Sequence, residues 1–177
     1  MQRDFPHLIG ICGHPKSGKS EVQRILAEEF GVIPVDDGHV LREFAHKYLG
    51  LSWEDVSTQA GKERHTEILG KNWQNRDILG TLGKQLEAMF GEHIMPFIAT
   101  QQCDPDGYYS FGSVRKTQGH FYNQLGGVVI EVIRPGALPS GYDFDWYDQS
   151  AVKRSIINDG SLEDLRNEVI RTMESLE

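Results

Sequence analysis

The sequence predicts an α/β fold of three layers, in which helices cover both faces of a five-stranded parallel sheet. Two observations carry this prediction. A short apolar segment at 8–12 leads through a glycine-containing loop into an amphipathic stretch at 21–30, the pattern of a buried strand followed by a helix. A second apolar segment follows at 32–35, and strand, helix and strand in this order are typical of a parallel sheet. The 177 residues are enough for one domain with a substantial core.

The loop between the first strand and the first helix, residues 13–20, matches the Walker A pattern G-x-x-x-x-G-K-[ST], which binds nucleotide phosphates. Gly13 and Gly18 let the backbone turn and approach a phosphate closely. The first amides of the helix, from Gly18 to Glu21, lack partners inside the helix and favour an anion, as does the helix dipole. The pattern therefore predicts a phosphate group at this loop.

Two side chains of the loop carry the charge and the metal contact. Lys19 is placed to reach the β- and γ-phosphates of a nucleotide, and the Ser20 hydroxyl is placed to hold Mg²⁺. The side chains of His14 and Lys16 are expected to be exposed to solvent, or else to contact phosphate. The variable positions of the loop, all part of the predicted nucleotide site, are His14, Pro15, Lys16 and Ser17.

The remaining elements continue the alternation of strands and helices. Gly31 is the expected C-cap of the first helix, and Ser161 with Asp164 forms a pattern that resembles a capping box at the start of the last helix. Further strands are predicted at 108–111, 128–133 and 155–157. Further helices are predicted at 40–48, 76–90, 93–102, 116–125 and 162–176, with a weaker helical pattern at 63–69 and an irregular stretch at 50–62.

The pair Asp36-Asp37 directly follows the second predicted strand. Ligands of parallel sheets collect at the carboxyl ends of the strands, so a carboxylate here can hold Mg²⁺ through water or orient an acceptor. The alternative is a helix N-cap, a position that aspartate favours. We assign the first role to Asp36 and the capping role to Asp37.

Three arginines are candidates for binding phosphate. Arg115 and Arg134 each follow a predicted strand, so both are expected near the edge of the sheet where the loop lies. With Lys19 they would form a clamp for phosphate. Arg76 stands at the start of the helix predicted at 76–90, where its charge opposes the helix dipole. Arg76 therefore serves an anion or is a solvated surface residue.

Two features of the chain leave alternatives open. Gly80 and Gly83 lie inside a predicted helix, where each costs about 1 kcal/mol relative to alanine. They indicate close approach of another backbone or a ligand, or else packing alone.

The aromatic-rich stretch 137–149 is either a lid that excludes water from phosphate chemistry or a loop packed on the core.

Composition and charge argue against several classes of protein. The net charge of −8 argues against a long nucleic acid as partner, which needs a basic surface, but it permits a small nucleotide. No apolar run is long enough to span a bilayer, and residues 1–6 lack the layout of a signal peptide. The two cysteines and seven histidines lack the spacing of a disulfide framework or a zinc site. We therefore expect a cytoplasmic protein with no membrane partner, as a monomer or a homodimer.

Five segments of the chain resemble the P-loop nucleoside and nucleotide monophosphate kinases, above all the phage-type deoxynucleoside monophosphate kinases and their dephospho-coenzyme A kinase relatives. The segments are the loop at 13–20, Arg-Asp-Ile-Leu-Gly-Thr-Leu-Gly at 76–83, Ser-Val-Arg at 113–115, the strand with its Arg-Pro-Gly end at 126–136, and Ile-Asn-Asp-Gly-Ser-Leu-Glu-Asp-Leu at 157–165. The resemblance implies the P-loop NTPase fold for residues 1–177 as a single domain. It also implies a helical acceptor-binding region near 38–102 and a short lid near 134–150.

The same resemblance implies an activity. It is that of an ATP-dependent phosphotransferase that moves the γ-phosphoryl group to a (deoxy)nucleoside monophosphate, with Mg²⁺ as cofactor and small nucleotides as partners. In such an enzyme Arg76 would hold the acceptor phosphate, and Arg115 and Arg134 would stabilise the transferred charge. Asn158 would lie near the base of ATP.

Three positions depart from the family pattern. Gly80 stands where the family often has glutamine, Ala88 where an arginine is expected, and Ser113 where an aspartate is expected. These changes leave the donor site intact and concern the acceptor. They permit another small acceptor, such as a nucleoside, dephospho-coenzyme A or a small alcohol, or a module that binds ATP without catalysing transfer.

Overall fold

The computed structural model describes residues 5–142 and 145–176. Within these ranges, no helix combines the length and the apolar character needed to cross a bilayer. The chain divides into two compact units, the first formed by Met1–Asp36 with Ala99–Glu177 and the second by Asp37–Ile98. The second unit nearly coincides with the helical region expected in the middle of the chain. Its role in binding an acceptor stays a prediction, as does the organisation of the chain as a single domain.

Strands and helices alternate along most of the chain. The strands are β1 (Leu8–Cys12), β2 (Ile33–Val35), β3 (His65–Ile68), β4 (Lys71–Gln74), β5 (Tyr109–Phe111), β6 (Val128–Ile133) and β7 (Arg154–Ile157). The helices are α1 (Lys19–Phe30), α2 (His39–Leu49), α3 (Trp53–Ser57), α4 (Gln59–Glu63), α5 (Asn75–Phe90), α6 (Ile94–Thr100), α7 (Gln118–Gln124) and α8 (Leu162–Glu174), with a short 3-10 helix at Gln149–Ala151.

The first unit is built on a parallel sheet in which the strands lie in the order β2, β5, β1, β6 and β7. This confirms the predicted fold class, and each of these strands agrees with its predicted range to within one residue at each end. Because all five strands run in the same direction, their carboxyl ends lie along one edge of the sheet, where ligands bind in folds of this kind. The loop at 13–20 follows the central strand, β1.

Helices cover both faces of this sheet. Ile130 and Val132 of β6 pack in one apolar core with buried side chains of α1 and α8. Val129, which points to the opposite face, packs in a second core with Tyr122 of α7. Because side chains alternate between the faces of a strand, the apolar residues of β6 face both sides of the sheet and need a helix layer on each side.

The predicted caps of the first and last helices are confirmed. Gly31 ends α1 in the left-handed conformation, with φ of 59°, and its amide donates to backbone carbonyl oxygens of the last turn. Ser161 and Asp164 form a complete capping box at the start of α8. Local sequence therefore decides where both helices end or begin.

The second unit contains short helices where the sequence predicts an irregular stretch at 50–62. Ser52 caps α3 in a capping box with Asp55, and Thr58 caps α4 by accepting a hydrogen bond from the Gly61 amide. Each helix is only five residues long, too short to show a helical period of apolar residues. The apolar core of the unit contains Ala45, Leu51, Val56 and Ile78.

The helix suggested by the weak apolar pattern at 63–69 is wrong. This segment contains β3, the first strand of the antiparallel hairpin β3–β4. Leu69 and Gly70 form its two-residue turn and both have positive φ, 52° and 73°. Such a turn matches the twist of a hairpin. The turn and the strand pairing outweigh the few apolar residues that suggested a helix.

The two glycines inside α5 have different surroundings. A Cβ at Gly80 would meet no atom within 4 Å among the described residues, so the predicted close approach of another backbone is wrong there. At Gly83 a Cβ would lie 3.4 Å from Leu41 Cδ1, at the short limit of ordinary van der Waals contact. A Cβ would therefore fit at Gly83, so the surrounding packing does not require a glycine there.

Candidate functional site

The loop that connects β1 to α1 contains three residues with positive φ. Gly13 has φ of 139° and Gly18 has φ of 108°. A Cβ at Gly13 would lie 2.4 Å from the Val132 carbonyl oxygen, and a Cβ at Gly18 would lie 2.5 Å from Asn158 Nδ2. Lys16 has φ of 64°, which is uncommon for a residue with a side chain. Backbone strain of the kind found at Lys16 clusters at ligand-binding sites, and the phosphate site itself stays a prediction.

The Lys19 side chain folds back onto the loop. Its Nζ donates hydrogen bonds to the carbonyl oxygens of Gly13, at 2.7 Å, and His14, at 2.9 Å. Burial of the ammonium group, and after it the positive charge of Arg115, lowers the pKa of Lys19, while Asp145 acts in the opposite direction. Because burial and a second cation both disfavour the charge of Lys19, a bound anion would be favoured at this position.

Two polar side-chain atoms of the loop, Ser17 Oγ and His14 Nδ1, are buried with no hydrogen-bond partner among the described residues. Ser17 is only 1% exposed. Buried polar atoms nearly always have a partner, so this pair fits a ligand that carries hydrogen-bonding groups, as a nucleotide does. The expected exposure is found for Lys16. It is wrong for the Nδ1 atom of His14, whose ring lies against that of Tyr147.

The remaining predicted site residues of this segment are Pro15, Ser20 and Glu21. Pro15 is half-buried, and Ser20, the second residue of α1, is exposed. The Glu21 carboxylate forms an ion pair with Arg24 on the surface of the helix. Glu21 therefore offers its backbone amide, rather than its side chain, to a ligand at the start of α1.

A cavity of roughly 140 Å³ lies beside the loop, within the first unit. Its wall includes residues from the loop, from β6 and from the segment that follows β6. Arg134 is among them, so the structure brings this predicted arginine next to the loop at 13–20. The lining residues are His14, Ser17, Glu131, Val132, Ile133, Arg134, Ala137 and Tyr147.

Glu131 is a buried carboxylate in the wall of this cavity that the sequence analysis did not identify. It is 6% exposed and accepts hydrogen bonds from Tyr147 Oη at 2.6 Å, Gln149 Nε2 at 2.9 Å and Ser155 Oγ at 3.0 Å. Burial alone would raise the pKa of Glu131, but the three donors outweigh it and hold the pKa below its usual range. A single charged residue within the apolar run 128–133 was the signal that could have revealed it.

Asn158 contacts the loop directly, although it is far from the loop in sequence. Its Nδ2 donates to the Ser17 carbonyl oxygen at 2.8 Å, and it follows β7 at the same edge of the sheet. The observed contact gives Asn158 a role in shaping the loop. Its expected position near the base of ATP stays a prediction.

The predicted ligands of Mg²⁺ are Ser20 and Asp36. Asp36 is exposed and follows β2, which is separated from β1 by β5. No group of three or more acidic, histidine or cysteine side chains that could hold a metal ion occurs in the described parts of the chain. Mg²⁺ in phosphotransferases is held by one or two protein oxygens together with substrate phosphates, so the assignment of Ser20 and Asp36 to Mg²⁺ stays a prediction.

The predicted capping role of Asp37 is wrong. The N-cap of α2 is Gly38, and no side chain makes a capping hydrogen bond there. Asp37 is instead buried, with 8% of its surface exposed. Because Gly38 already has the backbone position that precedes the helix, an aspartate one residue earlier lies outside the capping position.

The three predicted arginines lie in both units. Arg115 is exposed and follows β5, and its positive charge contributes to the lowered pKa of Lys19. Arg76 is the second residue of α5 in the second unit, where its Nη2 lies 4.0 Å from Glu63 Oε1. Its predicted contact with an acceptor stays a prediction.

Comparisons with known proteins identify the fold. No family model matches the chain, and no curated protein matches it. Among solved structures, the dephospho-CoA kinase from Campylobacter jejuni is 13% identical with a TM-score of 0.53, over 96% of both chains. The APS kinase CysC from Mycobacterium tuberculosis, as a Cys556Ala mutant, is 15% identical with a TM-score of 0.47, over 96% of this chain and 98% of the other. A shikimate kinase from Aquifex aeolicus is 15% identical with a TM-score of 0.45, over 95% of this chain and 96% of the other.

At sequence identities this low, structural similarity shows a shared fold and nothing more specific. The TM-score of 0.53 spans nearly the whole of both chains. The architecture of this chain that takes part in the match is the five-stranded parallel sheet with helices on both faces. The chain therefore has the fold of the P-loop kinases.

Proposed function

We propose that this protein is an ATP-dependent phosphotransferase that moves the γ-phosphoryl group of ATP to a nucleoside or deoxynucleoside monophosphate. The observation that carries the proposal is the loop at 13–20. There Lys19 folds onto loop carbonyl oxygens, and Ser17 Oγ is buried with no partner in the described part of the chain. The P-loop kinase fold and the family motifs support the same proposal.

The donor site would be formed by the loop and the adjacent strand ends. Backbone amides from Gly13 to Lys19 would surround the phosphate oxygens, and the Lys19 ammonium would neutralise the β- and γ-phosphates. Ser20 would hold Mg²⁺, with Asp36 acting through water. When bound, Mg²⁺ would offset the negative charge that develops on the phosphates during transfer.

Transfer between two phosphates needs no covalent nucleophile from the protein. The protein aligns the donor with the acceptor and stabilises the charge on the transferred group. Arg115 and Arg134 would supply that charge stabilisation beside the loop. Arg76, at the start of α5, would hold the phosphate of the acceptor.

The acceptor is the part of the proposal that depends most on the family motifs, chiefly the segment at 76–83. The Campylobacter jejuni protein is by name a kinase of dephospho-CoA, so this compound belongs among the acceptors to be tested. Nucleosides and small alcohols complete the panel, because Gly80, Ala88 and Ser113 leave the acceptor site different from the family pattern.

The test is release of ADP from Mg-ATP in the presence of ribo- and deoxynucleoside monophosphates, nucleosides, dephospho-coenzyme A and small alcohols. We expect monophosphates to stimulate release, and we expect Lys19→Ala to lower the rate by about 10³-fold or more, because the charge that stabilises transfer is removed. Lys153→Ala, which removes an exposed lysine outside the site, is the matched control and should keep the wild-type rate.

Each result assigns a function. Stimulation by a monophosphate that disappears in Lys19→Ala establishes the proposed activity and names the acceptor. Stimulation only by another compound keeps the phosphotransferase and replaces the acceptor class. Tight binding of Mg-ATP with no transfer to any compound would mean a nucleotide-binding module, and the proposed activity would be wrong.

A further inference from the structure

Tyr147 lies in a short segment whose backbone is held firmly beside the loop. The Lys116 amide donates to the Trp146 carbonyl oxygen at 2.5 Å, and the Asp148 amide donates to the Lys116 carbonyl oxygen at 2.8 Å. These bonds form an isolated parallel bridge between Lys116 and Tyr147. Asp148 also lies 2.9 Å from His120 Nε2. The position of the Tyr147 ring is therefore set by contacts on both sides of its own residue.

The side chain of Tyr147 connects a buried anion to the phosphate-binding loop. Its hydroxyl donates to Glu131 Oε1 at 2.6 Å, and its ring centroid lies 6.0 Å from that of His14, with 52° between the ring planes. Burial and the carboxylate of Glu131 raise the pKa of Tyr147, so the phenol remains a donor. The imidazole of His14 thus has an aromatic neighbour that is itself fixed in place.

His14 Nδ1 has no hydrogen-bond partner in the described ranges, and it lines the cavity together with Tyr147 and Ser17. A buried polar atom without a partner costs free energy that a ligand can recover. In its protonated state Nδ1 is a hydrogen-bond donor, which suits a phosphate oxygen. The opening of the cavity beside the loop gives such an oxygen a place to lie.

We propose that Tyr147, held by Glu131, is a positioning residue for the phosphoryl donor: it orients the His14 ring so that Nδ1 binds the polyphosphate. This inference rests on the proposed use of ATP, and it adds a histidine contact at a variable position of the loop. Tyr147 acts through His14, with no contact of its own to the phosphate. Its effect should therefore disappear when His14 is removed.

The test is a double-mutant cycle on the dissociation constant of Mg-ATP, measured by isothermal titration calorimetry. His14→Ala and Tyr147→Ala should each weaken binding about tenfold, the effect of losing one hydrogen bond to a charged group. The double variant should also lose about tenfold, rather than about a hundredfold, because two residues that act on one contact are not additive. Tyr147→Phe, which keeps the ring but not the bond to Glu131, should show a smaller loss of the same kind.

A matched control separates positioning from a general loss of stability. Gln149→Ala removes another donor to Glu131 without altering the Tyr147–His14 contact, and it should bind Mg-ATP as the wild type does. Additive losses in the cycle, or a loss in Gln149→Ala equal to that in Tyr147→Ala, would overturn the inference while the proposed function stands. A wild-type protein that does not bind Mg-ATP would refute the proposed function and, with it, this contact.

Discussion

The backbone conformation of the loop at 13–20 requires a glycine at position 18. Gly18 combines a positive φ with a Cβ direction that points at Asn158 Nδ2, so its position excludes a side chain twice over. Ser17 is held from the other side, because Asn158 donates to its carbonyl oxygen. Glycine at this position is therefore explained by the shape of the loop and by a residue at the far end of the chain.

At the residue scale, Asp36→Asn distinguishes the two kinds of acceptor. An alcohol needs a general base, which contributes roughly 10²–10⁴-fold, whereas a monophosphate acceptor arrives with its nucleophilic oxygen already ionised. With a monophosphate, Asp36 would act on Mg²⁺ only through water, so we expect a small change in the rate of ADP release; with an alcohol we expect a loss of the order given above. The measurement is kcat for both acceptors in the wild type and the variant. An equal loss with both would show that Asp36 acts only on Mg²⁺ and is not a base for an alcohol.

At the scale of the element, the short helices α3 and α4 pack so closely that they need a glycine. A Cβ at Gly61 would lie 2.0 Å from the Glu54 carbonyl oxygen. Such a contact is decided by the neighbouring helix and cannot be seen in the sequence around Gly61. Gly80 in α5 is the opposite case, since it is exposed and its surroundings are open to 4 Å among the described residues.

Gly80→Ala is therefore expected to stabilise α5. Alanine loses less backbone entropy than glycine in a helix interior, and the gain is about 1 kcal/mol in the free energy of unfolding. Urea denaturation monitored by circular dichroism measures this change. Gly61→Ala is the matched control in the same unit and should destabilise by about 1–3 kcal/mol through overpacking. A lower stability of Gly80→Ala would show that α5 is distorted at this position.

At the scale of the whole molecule, Glu131 joins β6, β7 and the segment around Tyr147 through three hydrogen bonds. The donors hold its pKa below the usual range, so the carboxylate stabilises the folded state at neutral pH. This contribution is complete above the ordinary carboxyl pKa of the unfolded chain. It is lost as the pH falls through the lower pKa of the folded state.

Glu131→Gln should accordingly reduce the free energy of unfolding by about 1–3 kcal/mol at pH 7, because three donors then lose a charged acceptor. The difference from the wild type should shrink as the pH is lowered below the usual glutamate range. Urea unfolding at a series of pH values measures it, with Glu174→Gln, at an exposed position of α8, as control. A difference that stays constant with pH would show that the charge of Glu131 contributes nothing.

The sequence by itself determined the parallel sheet, the ends of α1 and α8, and the position of the Walker A loop between β1 and α1. Apolar runs, capping residues and the Walker A spacing are local features, and local features act on neighbouring residues before any tertiary contact forms. For the same reason it missed the β3–β4 hairpin and the two five-residue helices, whose local patterns are short. Only the tertiary structure decided that Asn158 supports a loop 141 residues away and that Glu131, Tyr147 and His14 meet beside it. Those contacts depend on which strands lie side by side in the sheet. The apolar pattern of one strand does not specify which strands are its neighbours.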